Sequence, residues 1–314
     1  MDNLVSEKEA RDAGVYLSVP ELAKLLQVNE KKVYQLAGSG VIPGTKITGK
    51  WIFPRTLIDN WLLESSHGGI LQDRLLLAGS DDRLMQHLCS QAAIDWQRQA
   101  LISYSPNGTR HGLRMLDQGR IDGCFINWGA EQPDARRHLG LLRAYKNHAK
   151  WVIVRCLSRN QGFIVRHHVI GKKDTGVTVD PMSIVGNSVL RWAMRQDDSG
   201  TERLLADFCM THDVSIEALR VTGTYNSERA AVAAVNTGIA DICCGVQSTA
   251  YEFGLDYVPI ATVSLDWVMP QHIFFRTLVQ ELLTRIQNSP MDASPVQLDG
   301  YNINRSLQLI SLTA

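Results

Sequence analysis

Several functional classes are marked by features this sequence lacks. Its six cysteines, Cys89, Cys124, Cys156, Cys209, Cys243 and Cys244, show no C-x-x-C spacing. That removes the usual zinc and dithiol signatures and reads as reduced, packed thiols. The adjacent Cys243-Cys244 pair has a redox pair as its alternative. No apolar run is long enough for a membrane helix, so no membrane partner is expected. The start, MDNLVSEKEARDAG, is polar and acidic. It is expected not to be a secretory signal, which places the protein in the cytoplasm. G-x-S-x-G, H-E-x-x-H and G-x-G-x-x-G are all missing, and with them the common hydrolase, zinc-protease and dinucleotide signatures. His167-His168 is a poor metal pair, because neighbours on an extended segment point to opposite faces. No cofactor and no metal is expected. There is no net charge either: 32 Lys and Arg balance 32 Asp and Glu. Any affinity for an anionic partner must therefore come from local placement.

Local placement is uneven. Between Val15 and Ile58 stand Lys24, Lys31, Lys32, Lys46, Lys50 and Arg55 against only Glu21 and Glu30. Such a basic excess attracts phosphate. Ser18 before Pro20-Glu21-Leu22 opens a helix carrying Leu22, Leu25 and Leu26 at helical spacing. Asn29 opens a second helix with Val33 and Leu36 inward, and the short interval suits a helix-turn-helix. PGTKITGKWIF, residues 43–53, mimics the glycine and lysine spacing of a phosphate-cradling loop. However, Trp51 follows Lys50 where a magnesium-binding hydroxyl would be required, and Lys50 enters a strand instead of a helix. The stretch is better read as a glycine-turned hairpin, a wing that meets a nucleic-acid backbone. Pro54-Arg55 then opens a short helix with Leu57, Ile58, Trp61 and Leu62.

The Ser/Gly stretch SSHGGI separates this piece from the rest. The expected boundaries are residues 1–64 for a DNA-binding domain, 65–72 for a linker, 73–288 for a larger domain, and 289–314 for a tail with no assigned role. From Asp73 onward short apolar runs alternate with helical patterns, which implies α/β architecture with a mainly parallel sheet. Ser80, Thr109, Ser199, Thr201, Asn226 and Ser227 stand where helices begin after strands. Ligands bind beyond the carboxyl ends of strands in open α/β sheets, and helix N-termini suit anions. Plain N-capping explains any one of these residues, but a convergence of several would not be capping alone. Arg195 offers a guanidinium for a carboxylate or oxyanion. Its alternative is a surface ion pair with Asp197 or Asp198. Tyr225 and Gln247 add candidate hydrogen bonds, and Asn127 with Trp128 stands at a strand end.

The segment YLSVPELAKLLQVNEKKVYQLAGSGVIPGTKITGKWIFPRTLIDNWL resembles the excisionase-type, MerR-related winged helix-turn-helix. The resemblance implies that residues 29–37 form the recognition helix. Lys31, Lys32, Tyr34 and Gln35 would enter the major groove, and Lys46, Lys50 and Arg55 would grip phosphates. RQDDSGTERLL and AAVAAVNTGIADICCGVQSTAYEFGLDYVPI resemble the type 2 periplasmic-binding-protein fold, in its cytoplasmic branch fused to regulators and molybdenum-cofactor proteins. This implies two lobes closing on a ligand in the cleft. The family's Gly-Ser-Gly-Thr turn is replaced here by Asp197-Asp198-Ser199-Gly200-Thr201, which puts two carboxylates beside the anion site.

The resulting expectation is a non-enzymatic, ligand-responsive transcription regulator, a homodimer or higher homo-oligomer on double-stranded operator DNA. Its small anionic ligand would meet Ser80, Thr109, Asn127, Arg195, Ser199, Thr201, Tyr225, Asn226 and Gln247. The resemblance makes molybdate or tungstate the leading candidate, with a small organic acid or sulfonate next. The rival readings are a molybdenum-cofactor-pathway enzyme with an appended DNA-binding-like module, and a scaffold that senses nothing.

Overall fold

The computed structural model describes residues 16–65, 73–97, 100–132, 135–167, 169, 179–289 and 298–310. The chain forms two compact units, residues 1–72 and 73–314. Residues 66–72, where most of the linker was expected, and His168 lie outside the described residues.

In the first unit, β1 (Tyr16–Leu17) leads to α1 (Val19–Leu26) and α2 (Glu30–Gly38). The Ser18 N–H donates to the Glu21 carboxylate at 2.7 Å, closing the first turn of α1. Asn29 caps α2 by accepting the Lys32 N–H at 2.8 Å. The hairpin of β2 (Thr45–Ile47) and β3 (Lys50–Pro54) pairs Ile47 with Lys50. Its two linking residues, Thr48 and Gly49, have φ of 47° and 83°. Positive φ at both central positions matches the twist of paired strands and favours glycine at the second. Then α3 (Arg55–Ser65) closes the unit, with Leu22, Val33, Phe53 and Ile58 fully buried between the elements.

The second unit opens with β4 (Asp73–Gly79), α4 (Arg83–Asp95), β5 (Ala100–Ser105), α5 (Thr109–Asp117), β6 (Gly123–Ile126) and α6 (Arg136–Leu142). The strand β7 (Trp151–Val165) then crosses into a second lobe. That lobe holds α7 (Pro181–Val185), β8 (Arg191–Arg195), α8 (Gly200–Thr211), β9 (Arg220–Tyr225), α9 (Glu228–Asn236), β10 (Ile242–Val246) and α10 (Gln247–Glu252). A second long strand, β11 (Asp256–Pro270), returns antiparallel to β7, followed by α11 (Gln271–Phe274) and α12 (Thr277–Gln287).

The strand order is β5-β4-β6-β11-β7-β10-β8-β9. The sheet is therefore mixed where a mainly parallel one was expected. Each lobe has a parallel three-strand half, and the crossing pair β7–β11 joins them antiparallel. A chain that crosses between lobes and comes back must run its two crossing strands in opposite directions. Thr224 and Tyr225 complete β9, and Asn226 follows it. The segment after Ser289 also has a structural place. Two short strands, β12 (Tyr301–Asn302) and β13 (Leu309–Ile310), pair with β7, and Leu298 and Tyr301 pack into the first lobe's core. All six cysteines are buried and free, and burial pushes the Cys89 thiol up to about 12 and Cys243 further still. Such thiols pack instead of reacting.

Removing residues 298–314 should cost on the order of 3 kcal/mol, since Leu298 and Tyr301 leave an apolar core. Urea unfolding of the shortened chain, against the full chain, would read this as a lower midpoint for the second unit.

Candidate functional site

The carboxyl ends of β4, β6, β8 and β9 meet helix N-termini across the line between the lobes. A hydrogen-bonded chain runs through that line. Thr109 Oγ1 donates to the Asn127 carbonyl at 2.8 Å and accepts the Asn127 N–H at 3.2 Å. The Asn127 amide donates to Gln161 Oε1 at 3.3 Å, and Gln161 Nε2 donates to Thr201 Oγ1 at 2.6 Å. First lobe, crossing strand and second lobe are linked through four buried polar side chains. Asn127 Oδ1 is buried and has no partner.

Arg195 is 4% exposed. Its guanidinium donates to the carbonyl oxygens of Tyr225 (3.2 Å) and Asn226 (3.3 Å). Neither Asp197 nor Asp198 takes it as an ion pair; Asp198 is bound by Arg114 of the other lobe. Ser199 caps α8 by accepting the Glu202 N–H at 3.0 Å. Ser80 is buried at the end of β4, its N–H given to the Phe125 carbonyl at 2.7 Å. Tyr225 and Asn226 contribute backbone oxygens to Arg195. Gln247 stands apart from this group, bonded to Asn160 of β7 at 3.0 Å and to Tyr251 at 3.2 Å.

Several residues of the candidate site escaped the sequence reading. Arg159, 2% exposed in the middle of β7, donates to Asp82 Oδ2 at 2.5 Å and to the Asp81 carbonyl at 3.0 Å. Tyr301 donates to the same Asp82 oxygen at 3.1 Å. Burial works against the charge on Arg159, but Asp82 and then Tyr301 and Glu228 more than offset it, and its pKa is raised. Glu228, the first residue of α9, is buried, which pushes its carboxyl up; it accepts Thr249 Oγ1 at 2.6 Å. Asp81 reaches from the first lobe to the second, where its Oδ2 accepts the Glu228 N–H at 2.9 Å. Paired Asp-Asp after a strand reads as an N-cap, and Asp82 does cap α4 through the Met85 N–H at 2.9 Å. The basic partner lies far along the chain, so spacing carries no signal for it.

The lobes are in contact on both rims. On one, Arg114 pairs with Asp198, Arg137 with Asp207, and the Arg110 N–H donates to the Asp198 carbonyl at 3.1 Å. Trp128 sits between Arg110 of the first lobe (4.8 Å to the ring centre) and Arg203 of the second (6.0 Å). On the other, Arg83 meets Glu252 at 2.5 Å. The space left at Asp81, Arg159 and Glu228 is about 20 Å³, room for roughly one water. A larger groove of about 650 Å³ lies away from the cleft, at the end of α5 and the start of β7. It contains none of the predicted ligand residues.

In the first unit Lys31, Lys32, Tyr34 and Gln35 stand on α2, and Lys46 and Lys50 lie exposed on the hairpin. Arg55 is held by Asp59 at 3.0 Å, so a phosphate would have to compete for it.

Profiles of known families match in the same order. The profile of the PBP superfamily domain covers residues 91–287, and that of a helix-turn-helix domain covers residues 16–66. No curated protein matches the chain in sequence. Among solved structures, the regulatory domain of Synechocystis PCC6803 CcmR in complex with 2-PG is similar at TM-score 0.50 and 17% identity, over 68% of this chain and 96% of that one. A mutant of Corynebacterium glutamicum OxyR is similar at TM-score 0.50 and 14% identity, over 86% and 88% of the two chains. The likeness shows the two-lobed fold.

Closure and burial each have a measurable consequence. A Cβ on Gly200 would stand against the Asn127 carbonyl oxygen, well inside contact distance. Gly200→Ala should hold the lobes apart and lengthen the chain's small-angle scattering radius relative to wild type. Glu202 is pushed up to about 7 from its usual 4.5, chiefly by burial. The folded state therefore keeps a proton that the unfolded chain gives up. The cost of ionising Glu202 builds as pH rises from about 4.5 to 7, and stands in full above that. Glu202→Gln should raise the melting midpoint at pH 8 and leave it unchanged at pH 4.

Proposed function

Because the chain belongs to the PBP superfamily and carries a helix-turn-helix domain ahead of it, we propose that its ligand is a small carboxylate. The chain is a ligand-responsive transcription regulator, and the cleft is where its small ligand binds. The observation that carries the carboxylate is the charge around the α9 N-terminus. Asp81, Asp82 and Glu228 stand there beside Arg159 and Arg195. A compact tetrahedral dianion such as molybdate or tungstate would meet the Asp81 carboxylate at short range, with Asp82 already held by Arg159 and Glu228 pushed toward its neutral form. A planar monoanion, by contrast, fits a guanidinium and a helix N–H with less repulsion. Asp82 is already paired with Arg159 and Glu228 with Thr249, so the reading assigns no catalytic base and no enzymatic activity.

Double-stranded DNA would take Lys31, Lys32, Tyr34 and Gln35 in its major groove, with Lys46 and Lys50 on phosphates. A dimer or higher oligomer would supply the contact area that one small module lacks. The small volume of the closed cleft favours one second reading, a domain that serves as an oligomerisation scaffold.

The test is thermal unfolding of the full chain against short carboxylates, sulfonates, sulfate, phosphate, molybdate and tungstate. A ligand at a hundred times its dissociation constant adds about 2.7 kcal/mol. Selective stabilisation by a carboxylate, lost in Arg195→Ala, is the expected result; selectivity for molybdate would sink the carboxylate. Operator binding unchanged by any panel member and by Arg195→Ala would favour the scaffold. In the same assays Lys46→Ala and Lys50→Ala should weaken DNA binding alike on all sequences. Each should also reduce the slope of log affinity against log salt by about 0.9.

A further inference from the structure

Among the described residues, Asp81 is the acidic side chain that enters the ligand position from the opposite lobe. It leaves the turn after β4 and places Oδ2 2.9 Å from the Glu228 N–H, the first free donor of the nine-residue helix α9. Ser227 satisfies the Ala230 N–H of the same helix end, at 3.2 Å. The same Asp81 oxygen lies 3.9 Å from Arg195 Nη1. Its other oxygen accepts Gln86 Nε2 at 2.8 Å. A carboxylate that touches a helix N-terminus and faces a buried guanidinium has the surroundings of a bound anionic ligand. The residual 20 Å³ of space is lined by Asp81, Arg159 and Glu228. Arg159 Nε, buried there, has no hydrogen-bond partner. The cleft thus offers a donor that its own occupant does not reach.

We propose that Asp81 is an internal occupant of the ligand site: its carboxylate holds the α9 N-terminus in the ligand-free protein, and a ligand carboxylate must displace it. This rests on the reading of the cleft as a carboxylate site and adds its mode of selection. The ligand inherits the Glu228 N–H and Arg195, and gains Arg159 Nε. A ligand that presents only what Asp81 already presents gains nothing by exchange. Selectivity therefore comes from the parts of the ligand that Asp81 lacks. The remaining acidic neighbours are Asp82, held by Arg159, and Glu228, whose burial pushes it toward the neutral form. Asp81 is the carboxylate that an incoming anion must move aside.

The experiment is chemical rescue of the full-length chain. Asp81→Ala leaves a gap with the shape of a small carboxylate. Formate and acetate are titrated into wild type and variant, with chloride at matched ionic strength, and thermal unfolding is followed. The expected result is that formate raises the variant's midpoint at a concentration at least tenfold lower than wild type needs. Adding Arg195→Met to the variant should abolish that response. An equal response in wild type and variant, or none in the variant, overturns the proposal. Should Asp81→Ala not fold, Asp81→Asn keeps the shape without the charge and is held to the same tenfold criterion. Rescue by formate with no panel ligand stabilising wild type would leave this inference standing and remove the sensor reading. A carboxylate that stabilises wild type, with no rescue of the variant, would do the reverse.

Discussion

A buried guanidinium in the middle of the crossing strand must be paired, and much of the second unit is arranged around that need. Arg159 stands buried on β7, and leaving it without a counter-charge would cost several kcal/mol. Asp82 pairs with it from the turn after β4, and Tyr301 steadies the same carboxylate from the segment that returns to β7 after α12. Asp82 also caps α4. One carboxylate therefore sets the start of a helix, the position of the turn and the seat of the C-terminal strand pair. Its neighbour Asp81 reaches across the cleft to α9 with one oxygen and takes Gln86 of its own lobe with the other.

Closure of the lobes has the same character. The contacts that bridge them are charged and polar: Arg114 with Asp198, Arg137 with Asp207, Arg83 with Glu252, and the Asn127-Gln161-Thr201 chain. The three ion pairs stand at partly exposed rims and are individually weak. They suit a joint that opens and shuts far better than a hydrophobic seam would. Gly200 shows how close the approach is, since a single methyl group there would meet the Asn127 carbonyl. The crossing strands permit the motion, because β7 and β11 are the covalent links between lobes and carry a register shift between Pro259 and Ala261.

The parts of this architecture that were legible in sequence are those encoded locally. Ser18 and Asn29 mark helix starts, Thr48-Gly49 marks the wing turn, and alternating apolar runs mark the strands of both lobes. Thr109, Asn127 and Thr201 were placed at the cleft by their position after strands, and the chain of hydrogen bonds runs through all three. What was not legible depends on partners remote in sequence. Arg159 and Gln161 sit in β7 among other polar residues, Arg155, Ser158 and Asn160, with no spacing that points to a site. Asp81 and Asp82 stand between a strand and a helix, and nothing nearby reveals that Asp82 faces Arg159 and Asp81 faces α9. Gln247 was assigned to the ligand by its place at a strand end, but the register of β7 brings Asn160 to it first. The tail was opaque because two-residue strands have no periodicity to detect.

An internal occupant changes what affinity means for such a sensor. The ligand's intrinsic dissociation constant is divided by the fraction of molecules in which the site is free. If Asp81 fills the site in all but about one molecule in a hundred, apparent affinity falls about a hundredfold with no contact to the ligand altered. Response is then set to high ligand concentrations, and traces of unrelated anions are ignored. The same exchange limits the signal. A ligand moves the lobes only by the difference between its contacts and those of Asp81. A ligand that merely copied the Asp81 carboxylate would bind and leave the lobes where they were. Only one that also engages Arg159 Nε or the unpartnered Asn127 Oδ1 would distinguish the occupied state from the empty one. Those two atoms, one donor and one acceptor, set the minimum chemistry of an effector: a carboxylate that carries at least one further polar group, either an acceptor for Arg159 Nε or a donor for Asn127 Oδ1.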